Sequence, residues 1–149
     1  MRSAYRVLAG LICGLVLVQA AAIAFGTFGI LNFVEDGSTY TKSVAEDGGS
    51  DAGGIGQAIH SFGAIAIALV AIALLVVSFF AKIDGGAKWA GIVFGTVLLQ
   101  WVLAAVAFSA PVVGLLHGIN AFVIFGVAMT AMQRAKTVET APAATVPAV

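Results

Sequence analysis

VLAGLICGLVLVQAAAIAFGTFGILN, residues 7–32, runs for 26 residues without one charged side chain. A helix of about 20 mostly apolar residues is long enough to cross the hydrocarbon core of a bilayer, so this stretch reads as a membrane span. The basic start at Arg2 and Arg6 and the small residues Ala20, Ala21 and Ala22 also imitate a secretory signal. The apolar character continues through Phe25, Phe28, Ile30 and Phe33, well past the usual length of a signal core, and an uncleaved span is therefore the expectation.

Working outward, three further apolar runs of spanning length follow at about 57–81, 88–109 and 112–133. Little of the 149-residue chain remains outside them, and 61% hydrophobic against 9% charged residues is far too apolar for a domain with a wetted surface. The sequence predicts an all-α, four-transmembrane-helix bundle: a single membrane domain over 1–133, a loop at 34–56 and a disordered tail at 134–149.

Charge placement predicts the orientation, because basic loops stay on the cytoplasmic side. Arg2 and Arg6 precede the first span, Lys82 and Lys88 lie between the second and third, and Arg134 and Lys136 follow the fourth. Only Lys42 falls on the other side, among Glu35, Asp36, Glu46, Asp47 and Asp51. Both termini are expected in the cytoplasm of a multi-pass cell-membrane protein, with the acidic, Gly- and Ser-rich loop outside and largely irregular. Its DGGSD piece lacks the ligand spacing of an EF-hand. The lone Cys13 has no partner for an internal disulfide. The lipid bilayer is the expected partner, and no nucleic acid is.

Comparing the chain with itself brings out a second layer of organisation. AGLICGLVLVQA (9–20) aligns without gaps on AGIVFGTVLLQW (90–101), matching Gly10 with Gly91, Gly14 with Gly95 and Gln19 with Gln100. HSFGAIAIALVA (60–71) aligns on HGINAFVIFGVA (117–128), matching His60 with His117 and Ala64 with Ala121. The chain thus reads as two helical hairpins in a parallel repeat about an axis along the membrane normal, each with a glutamine on its first span and a histidine on its second.

Polar groups in hydrocarbon need a partner or a wet cavity. His60 and His117, the only histidines in the chain, are expected at one depth on opposite sides of the bundle, as axial and metal ligands of a single haem iron. Gly63 and Ala64, and Asn120 and Ala121, follow three and four residues later on the same helix faces, and their small size leaves room for a flat macrocycle. Gln57, Ser61 or Asn120 would orient an imidazole or meet a propionate, although no arginine cluster is present on that side. Two other readings of the histidines stay open: hydrogen bonding across a packed bundle and a proton relay. Zinc ranks lower, since the helices offer no further ligand at that depth.

Gln19 and Gln100 are expected to bond across the pseudo-axis, and Gly10/Gly14 and Gly91/Gly95 to face a neighbouring helix or another subunit, in a homodimer or a larger membrane complex. Trp101 reads as lipid-facing or stacked on a cofactor, and Tyr5 and Trp89 as interface anchors.

QAIHSF at 57–62 and LHGINA at 116–121 resemble the haem-ligating histidine segments in one half of haem A synthase, a protein of two four-helix bundles. Glutamine on odd spans and histidine on even ones is also similar to a small, functionally uncharacterised four-helix membrane family of prokaryotes. In topology the resemblance covers most of residues 7–133. It implies His60 and His117 as paired ligands of a haem b. It does not imply the oxidising chemistry, because Gln57 stands where the synthase has a carboxylate, Ser61 where it has a basic residue, and the loop cysteines and second bundle are missing.

No nucleophile–base or acid–base pair is present, so no reaction is assigned. The expected function is haem binding for electron transfer or haem handling. The alternatives are a cofactor-free scaffold or accessory subunit and, less well supported, a small transporter.

Overall fold

The structure is a computed structural model that describes residues 1–49 and 51–137. Five helices follow in order: α1 (Arg2–Glu35), α2 (Lys42–Glu46), α3 (Asp51–Ser78), α4 (Gly86–Ala107) and α5 (Val113–Thr137). No strand is found among the described residues. α1, α3, α4 and α5 are each long and apolar enough to cross a membrane, which makes this a multi-pass membrane protein. The expected disordered tail begins inside α5, which continues to Thr137, and the rest of that tail lies outside the described residues.

The four long helices form a ring in which α1 packs on α3 and α5, and α4 on α3 and α5. Its core is built from small and branched side chains, with Ala9, Ala71, Ala90 and Ala128 fully buried beside Ile12, Leu74 and Val93. Large apolar residues such as Phe28, Phe62, Leu69, Val102 and Phe122 instead point outward. That inversion of a soluble protein suits lipid, where helices gain from close packing of small residues. The hydroxyls of Thr27, Thr96, Thr130 and Ser78 fold back onto carbonyls of their own helices, so that these donors do not face hydrocarbon alone.

The second span starts earlier than its sequence predicts. Residues 51–56, DAGGIG, read as loop because glycine is a poor helix former, yet they are the first turns of α3. The reason is a backbone contact with α1. A Cβ on Gly29 would lie 2.6 Å from the Gly53 nitrogen, and one on Gly56 would collide with the Gly26 backbone. Glycines on both helices let the chains touch, and that packing outweighs about 1 kcal/mol of propensity per glycine. Part of the expected irregular loop is also helical: α2 is capped by the Thr41 side chain, which accepts from the Val44 amide.

At the opposite end, the turn between α3 and α4 uses left-handed backbone at Lys82 and Gly85. Tyr5 is fully buried beneath it and donates to the Gly86 carbonyl at 3.0 Å. Tyr5 is therefore a core residue and not the interface anchor its position implies, because the α3–α4 turn folds over it. Arg2 adds a bond to the Lys82 carbonyl at 3.1 Å. Trp89 is half-buried, with the Arg134 guanidinium 5.1 Å from its ring centroid, within cation–π range.

The glycine contact yields a prediction. Gly56→Val forces α1 and α3 apart and should cost roughly 1–3 kcal/mol, read as a fall in thermal midpoint in detergent. Gly14→Ala, where a Cβ meets nothing within 4 Å, should leave the midpoint nearly unchanged.

Candidate functional site

His60 sits on α3 and His117 on α5, helices that lie diagonally across the ring. Their imidazole centroids are 6.3 Å apart, with the ring planes inclined at 59°. The self-alignment expects this convergence, and it has a matching local cause in each hairpin. His60 Nδ1 lies 3.4 Å from the Gln19 carbonyl on α1, and His117 Nδ1 lies 3.2 Å from the Gln100 carbonyl on α4. A carbonyl only accepts, so each ring donates through Nδ1–H and keeps its lone pair on Nε2.

Around this shared bond the two halves differ. Gln100 clamps both nitrogens of His117: its carbonyl accepts from Nδ1, and its side-chain Nε2 donates to the ring Nε2 at 3.1 Å. Its Oε1 in turn accepts from Asn120 Nδ2 at 2.8 Å, and Asn120 also donates to the Thr96 carbonyl at 2.9 Å. Gly63 stands at the position that aligns with Asn120. There the Gln19 amide fills the room a side chain would take, and its Nε2 donates to the Ile59 carbonyl at 3.4 Å. His60 Nε2 has no hydrogen-bond partner among the described residues.

The glutamines thus bond within their own hairpins, Gln19 to α3 and Gln100 to α5, and not across the pseudo-axis as expected. The helix beside each glutamine offers a carbonyl or ring nitrogen at hydrogen-bond range, whereas the diagonal helix is held off by the cavity between them.

That cavity has a volume of about 460 Å³, within the roughly 300–1,000 Å³ usual for small-molecule sites. Both imidazoles line it, with Ala64 and Ala121 beside them and Trp101 on one wall. Of the residues singled out in the sequence, His60, His117, Ala64 and Ala121 come together at the cavity. Gly63 lies under the Gln19 amide, and buried Asn120 turns toward α4. Gln57 and Ser61 are exposed on α3 and do not line the cavity. Thr96 and Gly118 belong to the site without any sequence motif of their own; the Asn-for-Gly mismatch at 120 and 63 is the available signal for a specialised second half.

As a chemical device, the site offers an unengaged imidazole lone pair on His60, a second on His117 that already accepts from Gln100, and the Gln19 and Gln100 carboxamides, in an apolar space. Among the described residues no group of three or more His, Cys, Asp or Glu side chains could hold a metal ion, so an ion bound here would take its remaining ligands from elsewhere. Of the expected glycine faces, Gly10 packs toward Met132 on α5, while a Cβ placed on Gly14, Gly91 or Gly95 would meet nothing within 4 Å.

The network predicts a coupled energetic response. Asn120→Leu strands the Gln100 Oε1 and should cost about 1–2 kcal/mol of stability. Adding Gln100→Leu, which removes both partners, should recover part of that loss in the same thermal melt.

No family model matches this chain, and no curated protein or solved structure matches it either.

Proposed function

We propose that this membrane protein binds one b-type haem between His60 and His117, for electron transfer or haem handling. The observation that carries the reading is the 6.3 Å separation of the two imidazole centroids inside the bundle. With metal–imidazole bonds of about 2 Å, two rings that share one ion through facing nitrogens stand with centroids roughly 6 Å apart.

The donor set fits. Each Nδ1–H is held by a glutamine carbonyl, the kind of support that fixes a ligating ring, with Nε2 open on His60 and shared with the Gln100 amide on His117. Ala64 and Ala121 keep the space beside the rings open, and Ile67, Ile124 and Phe125 give apolar walls. The haem iron would supply the redox chemistry, and the residues supply axial nitrogen, orientation and exclusion of water. Gln57 and Ser61, expected from the sequence to contact a propionate, stand outside the cavity and keep no role in this reading.

A second reading is a cofactor-free scaffold or accessory subunit. It is favoured by the closure of the Gln100–His117–Asn120 network, since no buried side-chain nitrogen or oxygen lacks a partner among the described residues. The open backbone at Gly14, Gly91 and Gly95 would then receive a neighbouring helix, in a homodimer or a larger complex.

Spectroscopy separates the two. Protein purified in detergent from haem-replete cells should show the oxidised and reduced bands of a low-spin haem at one per chain, and both His60→Ala and His117→Ala should abolish them while retaining helical circular dichroism. A colourless wild-type preparation overturns the haem reading in favour of the scaffold, and bands that survive in both variants overturn His60 and His117 as the ligands.

The proposed orientation, with both termini in the cytoplasm, rests on the basic residues Arg2, Arg6, Lys82, Lys88 and Arg134 at one end of the bundle. In a Cys13→Ser background, Ser38→Cys should react with an impermeant maleimide on intact cells, and Lys88→Cys only after permeabilisation. The reverse pattern would invert the topology.

A further inference from the structure

The cavity that holds the histidines is open to the side. Its inner lining, including Ile67, Val97 and Ile124, is buried, whereas Leu17 on α1 and Phe122 on α5 are 62% and 80% exposed. Nearer the termini α1 and α5 meet: Met132 Sδ would lie 3.1 Å from a Cβ on Gly10, and Cys13 Sγ donates to the Phe125 carbonyl at 3.7 Å. Toward the hairpin tips the seam carries Ala20 and Gly118, both exposed and both lining the cavity, and a Cβ on Gly118 would meet nothing within 4 Å.

The other seam, between α3 and α4, is built differently. In the self-alignment Trp101 stands where α1 has Ala20, and Ser61 where α5 has Gly118. Trp101 lines the cavity as a wall, and Ser61 does not reach it. The mouth therefore lies between α1 and α5. Leu17, Ile23 and Phe122 line it as exposed apolar side chains, which sets the opening in hydrocarbon and not in water.

Two features bear on how firmly such a site holds its ligand. No Lys or Arg lines the cavity, so the carboxylates of a haem find no countercharge within it. The Gln100 amide already donates to His117 Nε2, so amide and metal compete for one lone pair. Both lower retention.

On the reading that the histidine pair holds haem, we propose that this is an exchange site: haem passes laterally between the bilayer and the histidines through the α1/α5 seam, with Ala20 and Gly118 keeping the mouth open and Gln100 weakening the hold of His117. Handling of haem, and not permanent electron carriage, is then the role of the cavity.

The test uses the full-length protein in proteoliposomes with haem dissolved in the lipid. Uptake is followed by the shift of the haem absorption band, and release by transfer to apomyoglobin. Gly118→Leu should slow uptake and release several-fold at an unchanged final spectrum, and Leu17→Ala should speed both. Gln100→Leu should slow release by about fivefold, the worth of one net hydrogen bond. Wild-type uptake should track the haem-to-lipid ratio and not the aqueous haem concentration.

Rates unchanged in both Gly118→Leu and Leu17→Ala, or uptake that tracks aqueous haem, overturn the lateral route while leaving haem binding intact. If Gly118→Leu takes up no haem at all, Leu17→Ala alone decides. A wild-type protein without a haem spectrum overturns the binding reading itself, and the exchange proposal with it.

Discussion

Inside a bilayer a polar side chain has no water to turn to, and the hydrogen bond between each histidine Nδ1 and the carbonyl of a glutamine on the preceding span answers that constraint in both halves of the chain. The bond fixes three things together: the rotation of the second helix of each hairpin, the tautomer of its imidazole, and the direction from which the ring meets its counterpart. Because the two hairpins close into one ring, satisfying each histidine locally also brings the pair to a common space. The cavity is a by-product of that arrangement, since helices that hold polar groups inward at one depth cannot also pack alanine against alanine there, as they do around Ala9, Ala71, Ala90 and Ala128.

The matching bonds make the departures between the halves informative. A glycine at 63 lets one carboxamide lie against its neighbour's backbone, while an asparagine at 120 draws the other carboxamide into a chain of donors and acceptors. One imidazole is left with a spare nitrogen and the other is held at both. A site with chemically unequal walls has been made from two halves that begin alike.

Much of the architecture is legible in the sequence because lipid imposes long uninterrupted apolar runs, and nothing else in a chain of this length produces four of them. The beginning of α3 is not legible. Its glycines at 53, 54 and 56 carry loop propensity, and Gly53 and Gly56 pack on an α1 backbone more than twenty residues away in sequence. Tyr5 misleads for a related reason: an aromatic beside basic residues at a span's end is ordinarily at the interface, and its burial depends on a turn far along the chain. In the site, the histidines and the alanines beside them follow from periodicity and self-alignment. Ser61 does not, because one residue along a helix turns a side chain by about 100°. Gln57 lies about one turn from His60, at an exposed position toward the hairpin tips.

The clasp made by Tyr5 and Arg2 has a bearing on biogenesis. Tyr5 is synthesised 81 positions ahead of its partner Gly86. Until the segment that follows the second span has emerged, the beginning of the first helix has nothing to hold, and the amino-terminal pair of spans must reside in the membrane with that end unfastened. Closure of the ring therefore waits on the spans that follow, α4 and α5, against which α1 and α3 pack.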